Sequence, residues 1–223
     1  MTSAFQRLMR ETTGPRETFV NLPLIREVLQ TGASRTLYLD FLGQAYHHVK
    51  HTAPLLALAA ARCGANDYVY QSALFEYIEE ERGHELWILE DISVLGGDPD
   101  QVRGRMPRLP CKVMVGHAYY VVDHVSPYGL LGMVHVLEGM AVALGSKATA
   151  SLQASLSVSG DEGFKYLTTH SGLDVKHTEF FEDLFNQIGD RCLPVVIETA
   201  ADFYKLYGDL FRDLDERRRG ERS

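Results

Sequence analysis

Apolar residues recur at the three- and four-residue spacing of an α-helix along almost the whole chain. The pattern predicts helices over residues 22–31, 34–62, 67–95, 111–125, 126–157, 160–189 (with a candidate break at Gly172) and 193–217. Ser126 and Pro127 suit the cap and the first position of the fifth helix. Because no alternating run bounded by hairpin turns occurs, strands are not expected. The sequence therefore predicts one all-α bundle of about seven helices, a single domain over residues 1–223.

Composition and charge narrow the class of protein. Hydrophobic residues make up 45% of the chain and charged residues 23%, as in ordinary globular domains. A net charge of −8 argues against a general surface for nucleic acid or anionic membrane. Three widely spaced cysteines and an N-terminus without a signal-peptide core favour a reducing, cytoplasmic setting. The charged C-terminal run, from about residue 214, is expected to be flexible.

The apolar stretch 128–145 resembles a membrane span in length and composition. It carries His135 and Glu138 near its middle, and a charge at the centre of a bilayer costs roughly 2.5–3.5 kcal/mol. A buried helix of a soluble bundle is therefore the better interpretation, and no membrane span is expected.

The segment HSGLDVKH, residues 170–177, places three potential metal ligands on one side of a helix. His170, Asp174 and His177 fall within an arc of about 60°. The same side carries apolar residues, while the polar residues around it project away; the apolar set is Tyr166, Leu167, Leu173, Phe181, Leu184 and Ile188. A buried aspartate is costly unless its charge is compensated, and a metal ion would supply that compensation.

A second pair of ligands is predicted within EEERGHE, residues 79–85. Glu81 projects into the centre of an apolar helix face, and His84 follows three residues later. An inward Glu-x-x-His pair is the ligand unit of di-iron helix bundles. Glu85 also points inward and is suited to hold a histidine ring by a hydrogen bond. On its own, Glu-x-x-His occurs by chance on many solvent-facing helices.

Glu138 is the only formally charged side chain between Ser126 and Ser146. The alternative to a ligand is a lone buried glutamate that desolvation keeps protonated. With the other two clusters it completes a set of three carboxylates and three imidazoles: Glu81, His84, Glu138, His170, Asp174 and His177. Such a set suits two iron ions and leaves positions open for dioxygen.

At these residues the sequence resembles the heme-oxygenase-like di-iron oxidases and oxygenases. The matching segments are ERGH at 81–84, VLEGM around Glu138 and HSGLDVKH at 170–177, and YHHVKHTAPLL at 46–56 is similar to the family's first core helix. The resemblance covers about residues 35–190. It implies the heme-oxygenase-like helical fold and a catalytic centre of two iron ions, or a manganese–iron pair, held by the six ligands. No heme and no side-chain nucleophile are expected.

The resemblance implies dioxygen activation without fixing the substrate. Family members include a fatty-acid decarboxylase, N-oxygenases and a lyase acting on an amino acid, so a small amino-acid-like or fatty-acid-like substrate is expected. Dioxygen and that substrate are the expected partners, with an external electron donor as a further candidate. The surplus of apolar residues is consistent with a homodimer.

Three further residues are candidates for the pocket around the metal centre. His48 shares the inward face of its predicted helix, whereas His51 lies at the edge of that face. Either is equally well explained as a core histidine whose hydrogen bonds are satisfied. Lys147 could hold a substrate carboxylate or could simply mark the wetter end of its helix.

Three rival functions fit parts of the pattern. A heme protein with His48 as axial ligand would leave the buried carboxylates without a role near an apolar porphyrin. A thiaminase-like hydrolase would need an activated cysteine, and none of Cys63, Cys111 and Cys192 has a neighbour in sequence that marks it as one. A metal-binding bundle without catalysis would close its coordination shell and show no oxygen-dependent optical change.

Overall fold

The computed structural model describes residues 2–220, except for the side chains of residues 170–178, whose backbone belongs to the last helix. The described residues form eleven α-helices: α1 (Ala4–Glu11), α2 (Thr13–Val20), α3 (Pro23–Thr31), α4 (Arg35–Val49), α5 (Thr52–Arg62), α6 (Tyr68–Glu81), α7 (His84–Val94), α8 (Pro99–Gly104), α9 (Leu109–Tyr120), α10 (Leu130–Leu156) and α11 (Lys165–Gly220). A π-helical turn at Val121–Val125 and a 3-10 turn at Pro127–Gly129 join α9 to α10. No strand occurs in this part of the chain.

The predicted fold class, an all-α bundle, is confirmed, but the predicted number of about seven helices is wrong. Two predicted helices are each divided: 34–62 forms α4 and α5, and 67–95 forms α6 and α7. The N-terminal helices α1 and α2 were not predicted, and the predicted loop 96–110 contains α8. In contrast, the two predicted segments 160–189 and 193–217 belong to one continuous helix, α11, which includes Pro194.

Local sequence explains both helix divisions. Pro54 is the third residue of α5, in the first turn, where its missing N–H has no intrahelical partner to lose. Gly83 separates α6 from α7 with a φ of 95°, in the left-handed region that glycine adopts without a steric penalty. Pro54 and Gly83 are both visible in the sequence, but the apolar periodicity continues across each of them and therefore predicts one longer helix.

Helices α10 and α11 form the centre of the bundle. A Cβ atom added at Gly132 would lie 2.1 Å from Oγ1 of Thr199 and 2.7 Å from the backbone nitrogen of Ala200, so only glycine allows this close helix crossing. The segment Pro127–Leu156 is long and apolar enough to cross a membrane, and it is mostly buried inside the bundle. That burial is consistent with the core helix of a soluble protein.

Three apolar clusters fill the interior, and a cavity lies where they meet. The largest joins α1, α5, α6, α10 and α11. A second packs α4 against α7 and the start of α11, and a third small cluster contains Leu24, Leu37 and Leu214. Residues from all three line the same cavity, among them Tyr77, Tyr38 and Leu37. The cavity is therefore a product of the whole fold.

The chain after residue 214 was predicted to be flexible, yet α11 continues through it to Gly220. Arg218 donates two hydrogen bonds to the carboxylate of Glu27, at 2.6 and 2.5 Å, and one from Nε to Asp215 at 2.8 Å. The side chain of Arg218 is 14% exposed, and these carboxylates raise its pKa further above the usual range. These contacts hold the end of α11 against α3.

Candidate metal and substrate site

Glu81 and His84 lie side by side at the junction of α6 and α7. Glu81 is the last residue of α6 and His84 the first of α7, so the left-handed Gly83 turn, and not a continuous helix, brings them together. Nδ1 of His84 lies 3.3 Å from Oε2 of Glu81, and each side chain is 4% exposed. The imidazole stacks on Trp87, with ring centroids 4.1 Å apart, which fixes the plane of the ring.

Glu81 faces a central cavity that also contains Glu138. The cavity has a volume of about 180 Å³, and its polar wall groups include Glu81, Glu138, His48 and Tyr77. Glu138 lies on α10 and is half-buried, while His48 is buried on α4. Helices α4, α6 and α10 therefore each contribute an ionisable side chain to one chamber. Carboxylate oxygens and imidazole nitrogens are donors that iron binds, so this described part of the predicted set fits the metal.

Beyond those groups the cavity is long and apolar. Its wall on α10 extends from Met133 to Leu152, about 29 Å at 1.5 Å per residue. Small residues on that wall, Ala141, Gly145 and Ala148, leave room beside the helix. The opposite walls are aliphatic or aromatic: Leu24, Ile25, Val28, Leu29, Leu37, Phe41, Phe211 and Leu214. The shape suits a slender apolar chain better than a compact polar molecule.

The tyrosines in the wall add no charge. Burial raises the pKa of Tyr38 and of Tyr207 well above the usual range, so both phenols stay protonated at neutral pH. Tyr207 packs edge-on against His48, with ring centroids 6.0 Å apart. The ionisable groups of the cavity wall therefore lie in surroundings of low polarity, where charge interactions are strong.

The remaining sequence candidates are distributed outside the cavity wall. Nδ1 of His51 lies 3.0 Å from the hydroxyl of Tyr119, and burial together with the neighbouring Lys50 lowers its pKa. Glu85 is half-buried on α7, and Lys147 is exposed on α10; neither lines the cavity. Of the pocket residues considered from the sequence, His48 is the one that the fold brings into the chamber.

The positions and the pKa values of the three cysteines are those of structural residues. Cys111 and Cys192 are buried and Cys63 is half-buried, and none lines the cavity. Burial raises the pKa of Cys63 and of Cys111 to about 11, and that of Cys192 to about 12. Thiols with such pKa values are protonated at neutral pH and are poor nucleophiles.

The second half of the predicted ligand set lies outside the described side chains. His170, Asp174 and His177 all fall within residues 170–178. Tyr166 and Leu167, one turn before His170, line the cavity from α11. Among the described side chains, no group of three or more His, Cys, Asp or Glu residues is close enough to hold a metal ion. A complete centre therefore depends on ligands from 170–177, as the sequence predicts.

Several residues that shape the site had no clear signal in the sequence. Nothing in the sequence distinguishes Tyr38, Tyr77 and Tyr207 from other aromatic core residues, yet all three line the cavity. Asp91, between the buried residues Ile88 and Ile92, was overlooked although an acidic residue on an apolar face is a usable signal. Its carboxylate contacts the first turn of α11, next to the cavity.

The profile of a protein family described as iron-containing redox enzymes matches residues 39–208. The chain belongs to this family. The matched range contains all six predicted ligands, from Glu81 to His177. No curated protein matches the chain significantly.

Several solved structures have the same fold as this chain at low sequence identity. A domain of unknown function with a heme oxygenase-like fold from Shewanella denitrificans is 24% identical, covers 96% of this chain and 93% of its own, and has a TM-score of 0.84. A TenA homologue from Pseudomonas syringae pv. tomato is 11% identical over 96% and 93%, with a TM-score of 0.80. Heme oxygenase-1 from Synechocystis, solved with heme, is 14% identical over 97% and 94%, with a TM-score of 0.71. These similarities establish the heme oxygenase-like fold.

Proposed function

We propose that this protein is a non-heme di-iron oxidase or oxygenase that activates dioxygen on a substrate with a long apolar chain. The observation that carries the proposal is the position of Glu81, His84 and Glu138: the first two are buried together, and both carboxylates lie in the wall of one otherwise apolar cavity. Placing two carboxylates in the wall of one apolar cavity is costly, and bound cations would compensate their charge.

The other ligands would come from α11. Tyr166 lies one turn before His170, and residues four apart on a helix share a face. Because Tyr166 lines the cavity, the stripe of His170, Asp174 and His177 is expected to continue along the same wall. The full set would then comprise Glu81 and His84 from the α6–α7 junction, Glu138 from α10, and the three residues of α11.

Two iron ions would supply the activation of dioxygen. The protein would balance their charge with three carboxylates and would hold the ligands in fixed orientations. His84 is fixed by its stacking on Trp87, and His48 and Tyr77 place further polar groups in the wall of the cavity. The apolar walls would exclude bulk water, which strengthens the interactions of the buried charges and limits side reactions.

The substrate is proposed to be fatty-acid-like, and the amino-acid-like alternative is less well supported. Between Glu138 and Leu152 the α10 wall of the cavity has only apolar side chains, so a long alkyl chain would be buried there without stranding a polar group. Four positive charges on two ferrous ions exceed the three carboxylates of the proposed ligand set. The iron-loaded site would therefore favour a substrate with an anionic head group.

Anaerobic titration with ferrous iron tests the metal centre. We expect saturation at two ions per chain, because the six proposed ligands include three carboxylates, and an optical transient when the loaded protein meets dioxygen. Stoichiometric heme uptake with a Soret band, and no binding of non-heme iron, would overturn the proposal in favour of a heme protein with His48 near the iron. Closed, oxygen-inert metal binding would instead indicate a structural metal bundle.

A further inference from the structure

Asp91 is a buried carboxylate that holds the beginning of a distant helix. It lies in the last turn of α7, and the residue is 1% exposed. One carboxylate oxygen accepts the backbone N–H of Lys165 at 2.9 Å, and the other accepts that of Tyr166 at 2.8 Å. Lys165 is the first residue of α11, so these N–H groups have no acceptor within their own helix. Asp91 therefore caps α11 from another element.

The two helices joined by this contact carry opposite halves of the proposed metal centre. On α7, His84 precedes Asp91 by seven residues, which places both on one side of the helix two turns apart. On α11, Tyr166 precedes His170 by one turn and lines the cavity. The carboxylate of Asp91 is thus a buried hydrogen-bonded link between the helix of His84 and the helix of His170, Asp174 and His177.

Other contacts at this junction are weaker or apolar. Nζ of Lys165 lies 2.6 Å from Oε2 of Glu90, but both side chains are about half exposed, and such surface ion pairs contribute little. Tyr38 stacks on the fully buried Phe164 at 5.1 Å and donates a hydrogen bond to the carbonyl of Gly163 at 3.3 Å. Stacking fixes the approach of the loop, whereas the two-oxygen contact of Asp91 also fixes the rotation and register of the first turn.

We infer that Asp91 is a positioning residue that sets the placement of the α11 ligands relative to Glu81 and His84. The inference rests on the proposed di-iron function. Burial raises the pKa of Asp91 to about 6, against the lowering effect of its two amide hydrogen bonds, so at neutral pH the carboxylate is ionised and both oxygens accept. An asparagine has one acceptor oxygen and would present an NH₂ group to the second amide, so it can preserve only one of the two contacts.

Two variants test this inference from the two sides of the same contact. Asp91→Asn removes one of the two carboxylate acceptors. Lys165→Pro removes the backbone N–H of residue 165 and introduces proline, which is favoured at the first position of a helix. Tyr128→Phe is the matched control. The hydroxyl of Tyr128 donates to Asp67 at 2.5 Å and accepts from Arg191 of α11 at 3.1 Å, so this variant removes a different side-chain hydrogen bond to the same helix.

The measurements are anaerobic ferrous titration, thermal unfolding, and amide hydrogen exchange of the peptide that begins at Phe164, all on the full chain. In Asp91→Asn and Lys165→Pro we expect one of the two ferrous affinities to fall by about 10–100-fold while the other stays within about twofold. Exchange in the first turn of α11 should accelerate about tenfold or more. Tyr128→Phe should lose stability but keep both ferrous affinities and the parent exchange of that peptide.

Two outcomes would overturn the positioning role. One is parent-like binding of both ions in Asp91→Asn despite faster exchange or a lower melting temperature, which is what a purely structural residue predicts. The other is an equal loss of both ions in the control and in the Asp91 variant. A parent protein that binds no iron pair would overturn the proposed function itself. In that case the exchange measurement still decides, independently of metal, whether Asp91 anchors α11.

Discussion

Helix α10 passes through two different environments within one cavity. Glu138 is the ionisable side chain that α10 contributes to the wall, and the same wall includes Glu81 of α6 and His48 of α4. Leu152 lies about 21 Å further along the helix, and the wall that α10 contributes between these two residues is apolar. The hydroxyl of Ser155 hydrogen-bonds the backbone of Ala33 at 3.1 Å, which fastens this apolar end to the junction of α3 and α4.

The contrast separates two tasks that one helix performs. We call the part of the α10 wall at Glu138, which can bind a cation, the polar end, and the stretch from Met140 to Leu152, which has no reactive group, the apolar end. If chemistry and chain recognition are divided in this way, substitutions at each end should have different signatures. A change at the polar end should remove reactivity for every substrate, and a change at the apolar end should alter only which chain lengths are accepted.

The largest effect is expected from Glu138→Gln. The amide keeps the shape of the side chain, so the metal-free bundle should remain folded and about as stable as the parent. An amide is a poor ligand and cannot balance a cation, so the oxygen reaction of the iron-loaded protein should slow by about a hundredfold or more. Iron content, thermal unfolding and the ferrous–oxygen transient provide the measurements. Unchanged oxygen chemistry would make Glu138 a structural acid and remove the distinction between the two ends.

A smaller, selective effect is expected from Ala148→Phe. The phenyl ring would fill the cavity between Glu138 and Leu152, so metal loading and the oxygen reaction should stay close to those of the parent. Binding of saturated carboxylic acids should weaken about fourfold for each methylene group that no longer fits. Ala150→Phe is the control, because Ala150 is exposed on the same helix. An equal loss for all chain lengths, or a loss of iron, would contradict a separate chain-binding end.

The fold class followed from the sequence, whereas the helix ends did not. Apolar periodicity identified the all-α bundle, because each helix must bury one face against its neighbours. Two prolines show why boundaries are harder. Pro54 marks the start of α5, but Pro194 lies inside α11, where packing against α10 and other helices maintains the helix despite a missing hydrogen bond. A single sequence records the proline and not the packing that decides its effect.

The site shows the same division between local and global information. The spacing of Glu81 and His84 on an apolar face was readable, and both residues are buried. The spacing did not reveal that Gly83 divides the predicted helix between Glu81 and His84. The cavity could not be derived at all, because its walls come from segments as distant as Leu24 and Leu214. Asp91 likewise acquires its role only from a partner 74 residues away.

The smallest effect is expected at His135, a buried ionisable residue three positions before Glu138 that is not part of the cavity wall. Thr12 donates its hydroxyl proton to the carbonyl of Leu8, so its oxygen accepts from Nε2 of His135, which lies 3.3 Å away. The ring also packs against Phe181 and Tyr204. Burial, aided by the charge of Arg16, lowers the pKa of His135 to about 4.

His135→Phe should therefore change stability without changing the metal site. A histidine whose folded pKa lies below its unfolded value of about 6.5 favours folding at pH 7, and this contribution is lost as the pH falls from about 6.5 towards 4. The phenylalanine variant gives up the hydrogen bond to Thr12 and should be about 1 kcal/mol less stable at pH 7. It should lose about 3 kcal/mol less than the parent on acidification to pH 4, since it has no ring to protonate. Urea unfolding of the metal-free proteins at pH 7 and near pH 4 measures both differences in stability. The contributions of His47 and Asp91, which titrate in the same range, are present in both proteins and cancel in the comparison.

Iron binding at pH 7 should equal that of the parent, because His135 lies outside the cavity wall. A loss of iron in His135→Phe would extend the polar end beyond Glu138 and would make the boundary between reactive and structural residues on α10 less sharp than the cavity indicates.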